Sequence, residues 1–391
     1  MSDKNKIEKI IFTTHTFYPN LDGVAVVNNY LACGLADKGY NVCIFTHRLE
    51  NLDRIYEYKG LTIYRIYEEP QKQDYVKFLK GFIGKDDVLI NVCTQTPTTD
   101  SLYEELDNIQ CKKKILYVHG IYHFGWEAED RKNPYTCLKK IYHNYIWKQY
   151  YLKNKKYLMK YDTVTQLHEY DEGNIFFTEK LGIKTTIVEN AVDDSFFEGK
   201  NDTPFLDKYG ITKPYFICVA NYDRRKNQEM VLRSYYECNS DCELIFIGKD
   251  YYGYLDYLKQ IEIDIKKSHN NNNISKNVRY YNNIPRDEVA LFVRNAKLYL
   301  YGSKADMFPI SISEAMAAGI PFISTDVGVI RHLPGGIVGK IDDYKTMASN
   351  IDRLITDYTL WNSLSKDGRE YAQKRMRVSE KVKQVENIMK E

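Results

Sequence analysis

Short apolar runs rich in β-branched residues alternate with segments of helical periodicity along the whole chain. Such runs are typical of strands buried on both faces, and their alternation with helices indicates parallel sheets built from βαβ units. The pattern therefore predicts an α/β fold. About twelve strands are predicted, at 9–14, 41–46, 61–66, 88–92, 114–118, 163–167 and 185–188, then at 215–219, 243–247, 278–281, 298–301 and 321–324.

The number of strands and the length of 391 residues both exceed what one ordinary core holds. The polar segment 201–214, which contains two prolines, has the composition of a linker followed by an entry helix. We therefore predict two domains, 1–195 and 196–372. Residues 373–391 form a charged helix with an open apolar face, which either ends the second domain or crosses back to the first.

Composition describes an ordinary soluble protein, with 43% hydrophobic and 28% charged residues. The net charge of +2 argues against a polyelectrolyte binder. The polar N-terminus lacks the apolar core of a signal peptide, and no apolar run reaches the ~18 residues needed to span a bilayer. The eight cysteines form no CxxC pair, which favours buried free thiols. A cytoplasmic location is predicted.

Two carboxylates eight positions apart, Asp306 and Glu314, lie in the segment that follows the predicted strand 298–301. Asp306 lies in a loop, and Glu314 begins an Ala-rich helix that Gly319 ends. Ligands of open α/β sheets bind beyond the carboxyl ends of the strands, and helix N-termini favour anions. The pattern predicts a ligand site here, with an acid–base pair as the first interpretation of the two carboxylates.

Three cations, Arg224, Arg225 and Lys226, come directly after the predicted strand 215–219 and before a helix. Cations in this position suit a multiply charged anion such as a pyrophosphate. The alternative is a solubilising loop.

Two residues of the first half occupy comparable positions. Gly23 stands just before a helix, where it permits close approach of backbone to a phosphate or sugar, although a plain turn glycine is the alternative. His119 ends the strand 114–118, which is a ligand-binding position, although a structural histidine is equally compatible.

The segment 131–161 holds nine Lys or Arg residues and no Asp or Glu. Its apolar and aromatic residues recur at helical spacing. Such a helix can lie on an anionic bilayer, or it can be a solvated basic face whose other side packs on the core. Nucleic acid is the weakest of the alternatives, because no motif supports it.

These motifs together resemble the retaining GT-B glycosyltransferases of family 4, also called glycosyl transferases group 1. The family pattern E-x7-E followed by A-M-A-x-G-x-P is similar to the segment from Asp306 through Glu314 to Pro321. The pattern P-R-K-N resembles the end of the segment 220–227, P-N-G-V-D resembles 189–193, and F-x-P-x-x-G-G resembles 17–23. Four motifs in the family order span nearly the whole chain.

The resemblance implies two Rossmann-like domains facing across a cleft, with a C-terminal helix that crosses back to the N-terminal domain. It implies transfer of a hexose or N-acetylhexosamine from a UDP- or GDP-sugar to a glycan or lipid-linked glycan, by a front-face mechanism, without metal or other cofactor. Peripheral contact of 131–161 with the inner face of the membrane fits such an acceptor. The implied catalytic residues are Arg225, Lys226, His119 and Asp306, and the implied substrate-binding residues are Gly23, Phe308, Ile310, Ser311 and Glu314.

The departures from the family pattern bear mainly on the donor. Asp306 replaces the usual glutamate and is one methylene shorter, and Pro309 replaces a glycine and has no N–H to donate to a phosphate. Asp22 and Ala191 also replace glycines. Two other functions remain open, a non-catalytic partner subunit of a glycosyltransferase and a sugar-nucleotide epimerase on the same fold.

Overall fold

The computed structural model describes residues 6–19, 23–69, 71–126, 129–199, 203–268 and 276–391. The chain divides into two compact units, one formed by Met1–Glu189 with Lys381–Glu391 and the other by Asn190–Glu380. The predicted boundary between 195 and 196 differs by a few residues from this division, and the returning segment begins at Lys381 rather than at 373.

The first unit is built on a sheet with the strand order β3-β4-β2-β1-β5-β6-β7-β8. Neighbouring strands are parallel except for β3 and β4, which form an antiparallel hairpin. The strands are β1 Lys9–Thr13, β2 Asn41–His47, β3 Ile55–Tyr58, β4 Leu61–Tyr67, β5 Val88–Val92, β6 Lys113–Tyr117, β7 Thr163–Gln166 and β8 Thr186–Ile187. The helices are α1 Gly23–Asp37, α2 Lys72–Phe82, α3 Pro97–Asp100, α4 Pro134–Leu158 and α5 Glu172–Ile175.

The second unit is built on a parallel sheet with the order β11-β10-β9-β12-β13-β14. Its order reverses between β9 and β12, and ligands bind at such a reversal in doubly wound folds. The strands are β9 Tyr215–Val219, β10 Glu243–Gly248, β11 Val278–Asn282, β12 Leu298–Tyr301, β13 Phe322–Thr325 and β14 Gly336–Gly339. The helices are α6 Thr203–Lys208, α7 Gln228–Glu237, α8 Tyr254–Ser268, α9 Arg286–Asn295, α10 Ile310–Ala317, α11 Tyr344–Thr356 and α12 Tyr358–Arg375, and α13 Val378–Lys390 follows.

The predicted α/β class with two parallel sheets is confirmed, and each of the twelve predicted strands occurs within about one residue of its predicted bounds. The pattern missed β3 and β14. Strand β3 is largely exposed, so it carries no apolar run, and its hairpin uses positive φ at Lys59 and Gly60 instead of an Asn-Gly pair. Strand β14 is only four residues long and has a glycine at each end.

Helix α13 belongs to the first unit from Lys381 onward. Its Glu386 accepts hydrogen bonds from Lys38 Nζ at 2.5 Å and from the Tyr40 hydroxyl at 2.7 Å. Gln384 Nε2 donates to the carbonyl of Ile187 at 2.6 Å. The open apolar face predicted for this helix is buried at Val382, Val385, Ile388 and Met389.

Many of the 35 tyrosines are core residues. Their rings are buried, and several of their hydroxyls donate to backbone carbonyls. Tyr215 donates to Phe292 at 2.7 Å, and Tyr299 donates to Val219 at 2.8 Å. The tyrosine excess is therefore partly a matter of core packing in addition to surface composition.

All eight cysteines are free thiols, and three of them are buried. Within the described ranges, none of the helices combines the length and the apolar character needed to cross a membrane.

Candidate functional site

The loops that follow β9 and β12 meet where the strand order of the second sheet reverses. Lys226 Nζ lies 2.5 Å from Asp306 Oδ2 and donates to the Tyr301 hydroxyl at 3.1 Å. That hydroxyl donates to the same Asp306 oxygen at 2.5 Å. Burial, together with the charge of Asp306, holds the pKa of Tyr301 well above its usual range, so the phenol keeps its proton. One carboxylate oxygen therefore accepts from both an ammonium and a phenol.

Backbone contacts fix the two loops against each other. The carbonyl of Arg225 accepts from Lys304 N at 2.7 Å and from Ser303 Oγ at 3.1 Å. Asn227, in the left-handed conformation at φ 51°, donates through Nδ2 to the carbonyl of Gly302 at 3.0 Å. A Cβ at Gly302 would lie 2.8 Å from the Asn227 carbonyl, so only glycine allows this approach.

Gly328, after β13, holds the other side of the Asp306 loop. Its φ is 54°, and a Cβ there would lie 2.1 Å from the carbonyl of Met307. The next residue, Val329, donates its N–H to that same carbonyl at 3.0 Å. The close approach of two backbones therefore fixes the path of the loop that carries Asp306.

The segment at the start of α10 contains three of the residues for which the sequence implied substrate binding, Phe308, Ile310 and Ser311. Phe308 is buried, and its carbonyl accepts from Asn190 Nδ2 at 2.9 Å. Pro309 precedes the helix, where a missing N–H breaks no intrahelical bond. Ile310 and Ser311 form the half-buried first turn. N–H groups of a first helical turn have no acceptor within the helix, so they can meet an anion.

Glu314, within α10, is fully buried and pairs with Arg286, the first residue of α9. Arg286 is 39% exposed and places its guanidinium 5.6 Å from the centre of the Phe196 ring. Apart from this ion pair, neither oxygen of Glu314 accepts a hydrogen bond from the described residues. A buried carboxylate with unfilled acceptor positions is costly unless a ligand or water fills them.

The arginines of the β9 loop face solvent. The Arg225 side chain is 76% exposed, and its backbone N–H donates to Asp223 Oδ1 at 2.7 Å. Arg224 places its guanidinium 5.8 Å from the ring centre of Tyr257. These residues border a cavity of about 380 Å³, lined by Tyr222, Asp223, Arg224, Arg225, Tyr252, Gly253, Tyr254 and Tyr257. A cavity of this size can admit a small molecule.

Gly23 and His119 both lie in the first unit, and both are related to helix α1. Gly23 is the exposed first residue of α1, and His119 Nε2 lies 3.3 Å from Oδ1 of Asn28 on that helix. Burial lowers the pKa of His119 to about 3, so the imidazole is neutral at pH 7. Residues 20–22 of the predicted opening motif, including Asp22, lie outside the described residues.

The structure therefore brings Lys226 into contact with Asp306 and places Glu314 against Arg286, all within the second unit. Sequence analysis did not single out Tyr301 or Arg286. The criterion that selected Arg225 also applies to Arg286. Each is a cation that lies between the carboxyl end of a strand and a helix. Tyr301 is the last residue of an apolar strand, and nothing in the sequence marks its hydroxyl as part of a site.

Residues 204–375, within the second unit, match the family model described as glycosyl transferases group 1. Over 211 residues the chain is 25% identical to N-acetyl-alpha-D-glucosaminyl L-malate synthase of Bacillus anthracis, covering 51% of this chain and 52% of that protein. Over 187 residues it is 24% identical to the putative glycosyltransferase YtcC of Bacillus subtilis, covering 43% of each. The chain thus spans about half the length, or less, of the curated relatives it matches.

Solved structures resemble the chain over nearly its full length. Sucrose-phosphate synthase from Thermosynechococcus elongatus gives a TM-score of 0.75 at 17% identity, covering 97% of this chain and 98% of that one. HepE of Anabaena in complex with UDP-glucose gives a TM-score of 0.68 at 12% identity, covering 97% and 99%. The fold is that of the GT-B glycosyltransferases, and residues 204–375 of the chain match the glycosyl transferases group 1 model.

Proposed function

We propose that this protein is a retaining glycosyltransferase that moves a hexose or an N-acetylhexosamine from a nucleotide diphosphate sugar to a glycan or lipid-linked glycan. The observation that carries the proposal is the carboxylate of Glu314, which is buried in the middle of α10 and has unfilled acceptor positions. Ribose hydroxyls are donors that would fill those positions. The group 1 match over 204–375 and the UDP-glucose complex of HepE support the same interpretation.

The diphosphate of the donor would be stabilised by cations and by the start of α10. In glycosyl transfer the bond from the anomeric carbon to the diphosphate oxygen breaks, and the electron pair leaves with the diphosphate. Preorganised positive charge stabilises that leaving group most effectively. Lys226 is held in place by Asp306 and Tyr301, and Arg225 reaches solvent beside it. These cations and the first turn of α10 supply the charge, so we propose that transfer requires no metal. The nucleotide would be UDP or GDP.

Retention would follow a front-face route. The acceptor oxygen bonds to the anomeric carbon on the face that the diphosphate leaves, and the leaving phosphate takes the acceptor proton. A double displacement would instead need a free carboxylate nucleophile. Asp306 is a weak candidate for that role, because one of its oxygens already accepts from Lys226 and Tyr301.

The first unit would hold the acceptor. His119, neutral at pH 7, would hydrogen-bond to a sugar hydroxyl, and the backbone at Gly23 would allow a sugar or phosphate to approach closely. Contact of residues 131–161 with an anionic membrane would suit such an acceptor, because a lipid-linked acceptor lies in a bilayer.

A panel of nucleotide sugars screened by thermal shift tests the donor assignment. A donor present at a hundred times its Kd stabilises the folded protein by about 2.7 kcal/mol. We expect one UDP- or GDP-sugar to raise Tm, and we expect Glu314→Gln to lose that rise while keeping the unliganded fold. The exposed Glu370→Gln is the control. An equal rise in Glu314→Gln would contradict the ribose role.

Product analysis tests the remaining points of the mechanism. The ¹H coupling constant of the new anomeric proton should show the configuration of the donor, and EDTA should leave the rate unchanged. An inverted product or a metal-dependent rate would contradict the corresponding part of the proposal.

A further inference from the structure

The outward side of α4 is apolar, where a solvated helix would be polar. Its large exposed side chains, between 40% and 73% exposed, are Tyr135, Leu138, Ile141, Tyr142, Tyr145, Ile146 and Leu152. From Tyr135 to Ile146 they recur every three or four residues along one side of the helix, and Leu152 follows Tyr145 by two turns, so the set spans about 26 Å at 1.5 Å per residue. The opposite side packs into the first unit through Tyr151 and Leu158. The outward side of this helix therefore carries large apolar side chains in addition to its basic ones.

Cations border this apolar side. Lys139 and Lys148 are exposed and, at 100° per residue, flank the apolar side chains, while Lys153 and Lys156 are exposed near the C-terminal end of the helix. Lys140 differs, because it is buried and donates to the carbonyl of His123 at 2.8 Å. No acidic residue occurs anywhere in 131–161 to balance the exposed cations.

We propose that the outward side of α4 docks the first unit on an anionic bilayer. Its apolar side chains would enter the headgroup–acyl boundary, its tyrosine hydroxyls would remain in the headgroup layer, and its lysines would meet lipid phosphates. A bilayer offers an apolar layer and a dense anionic layer in one plane, which matches both features of this surface. The consequence for the acceptor, a lipid-linked glycan, rests on the proposed function, whereas the docking itself does not.

Vesicle co-sedimentation of the full chain, without any nucleotide sugar, tests the docking. The wild-type protein should bind vesicles that contain phosphatidylglycerol and should bind pure phosphatidylcholine vesicles much less. Combined substitution of Lys139, Lys148, Lys153 and Lys156 by Glu should lower partitioning by at least about tenfold. So should the combined changes Leu138→Ser, Tyr142→Ser and Tyr145→Ser, because they remove the apolar contact.

The matched control is the combined substitution of Lys213, Lys345, Lys366 and Lys374 by Glu. These lysines are exposed in the second unit, so the control makes the same change in net charge away from α4. It should bind phosphatidylglycerol vesicles more strongly than the α4 charge variant does. Equal partitioning of the two charge variants, or no binding by the wild type, would overturn the proposal.

A second copy of the chain is the competing occupant of this surface. Light scattering that shows a dimer in the absence of lipid, converted to a monomer by the serine variant, would overturn bilayer docking. Thermal shift with the donor, measured on every variant, separates the two proposals. A variant that loses vesicle binding but keeps the rise in Tm with the nucleotide sugar tests the role of α4 alone. A wild-type protein whose Tm does not rise with any nucleotide sugar contradicts only the proposed function.

Discussion

Both units hold carboxylates near the carboxyl ends of their strands, and the partners of Asp100, Glu314 and Asp306 differ in charge between the units. In the first unit, Asp100 at the end of α3 accepts from the Tyr150 hydroxyl at 2.8 and 2.9 Å, and burial raises its pKa to about 6. In the second unit, Glu314 pairs with Arg286, and Asp306 pairs with Lys226. One carboxylate therefore has an uncharged partner, and the other two have cations.

The loops that follow the strands of the two units also differ in their content of charged residues. After β1, β5 and β6 the segments 14–19, 93–99 and 118–126 contain no Lys, Arg, Asp or Glu. After β9 and β12, by contrast, the segments 220–227 and 302–309 contain three and one cations, respectively, together with acidic residues. Loop segments without charged side chains suit the hydroxyls of a sugar, and loop segments with several cations suit a diphosphate. The contrast agrees with the roles proposed for the two units.

Removal of Lys226, which contacts Asp306, should have the largest effect among the cations in the loops that follow β9 and β12. Lys226→Ala should lower kcat/KM by about 100-fold or more, in the range seen when a preorganised donor to a leaving group is lost. Lys304→Ala in the neighbouring loop, whose ammonium pairs with Asp342 at 3.2 Å, is the matched control. Steady-state kinetics with circular dichroism would check both variants, and similar kinetics for the two would remove Lys226 from the site.

Removing the partner of the buried carboxylate should cost stability. Arg286→Ala leaves Glu314 buried without its cation, and we expect the free energy of unfolding to fall by about 2–3 kcal/mol. This is less than the 3–5 kcal/mol typical of fully buried pairs, because Arg286 is 39% exposed. Arg331→Ala, which breaks an exposed pair with Asp326, should cost about 1 kcal/mol or less. Urea unfolding that gives the same loss for both would contradict the importance of the buried pair.

Asp100, the carboxylate with the uncharged partner, should make the stability of the protein depend on pH. Because burial raises the folded-state pKa of Asp100 from 3.8 to about 6, its protonated form favours the folded state. Stability from this group is therefore present below about pH 4 and is lost as pH rises through 6. Between pH 5 and 7 the wild type should lose about 1 kcal/mol relative to Asp100→Asn.

Urea unfolding at the two pH values checks the Asp100 prediction. Asp171, whose pKa burial also raises to about 6, is present in both proteins and cancels in the comparison. Asp107→Asn, at a largely exposed carboxylate paired with Lys160, should show the wild-type pH dependence. If Asp100→Asn shows that dependence too, burial does not raise the pKa of Asp100 in the folded protein.

The local pattern predicted much of the fold because buried parallel strands are apolar runs of characteristic length. It missed β3, whose residues are exposed and whose turn uses Lys59-Gly60, and β14, which is short and bounded by glycines. It placed Asp306, Glu314, Arg225 and Lys226 in loops and a helix at strand ends, because that placement follows from chain order. The local pattern could not show which of these side chains contact one another.

The sequence by itself determined the alternation of strands and helices, the cations after β9 and the unbroken basic charge of 131–161. Only the tertiary structure decided that Lys226 meets Asp306, 80 positions away, and that Arg286 rather than Arg225 faces Glu314. It also decided which side of α4 turns outward, because both sides are apolar and local periodicity could not rank them. Strand pairing brings residues distant along the chain to one sheet edge, and side-chain partners follow from that pairing.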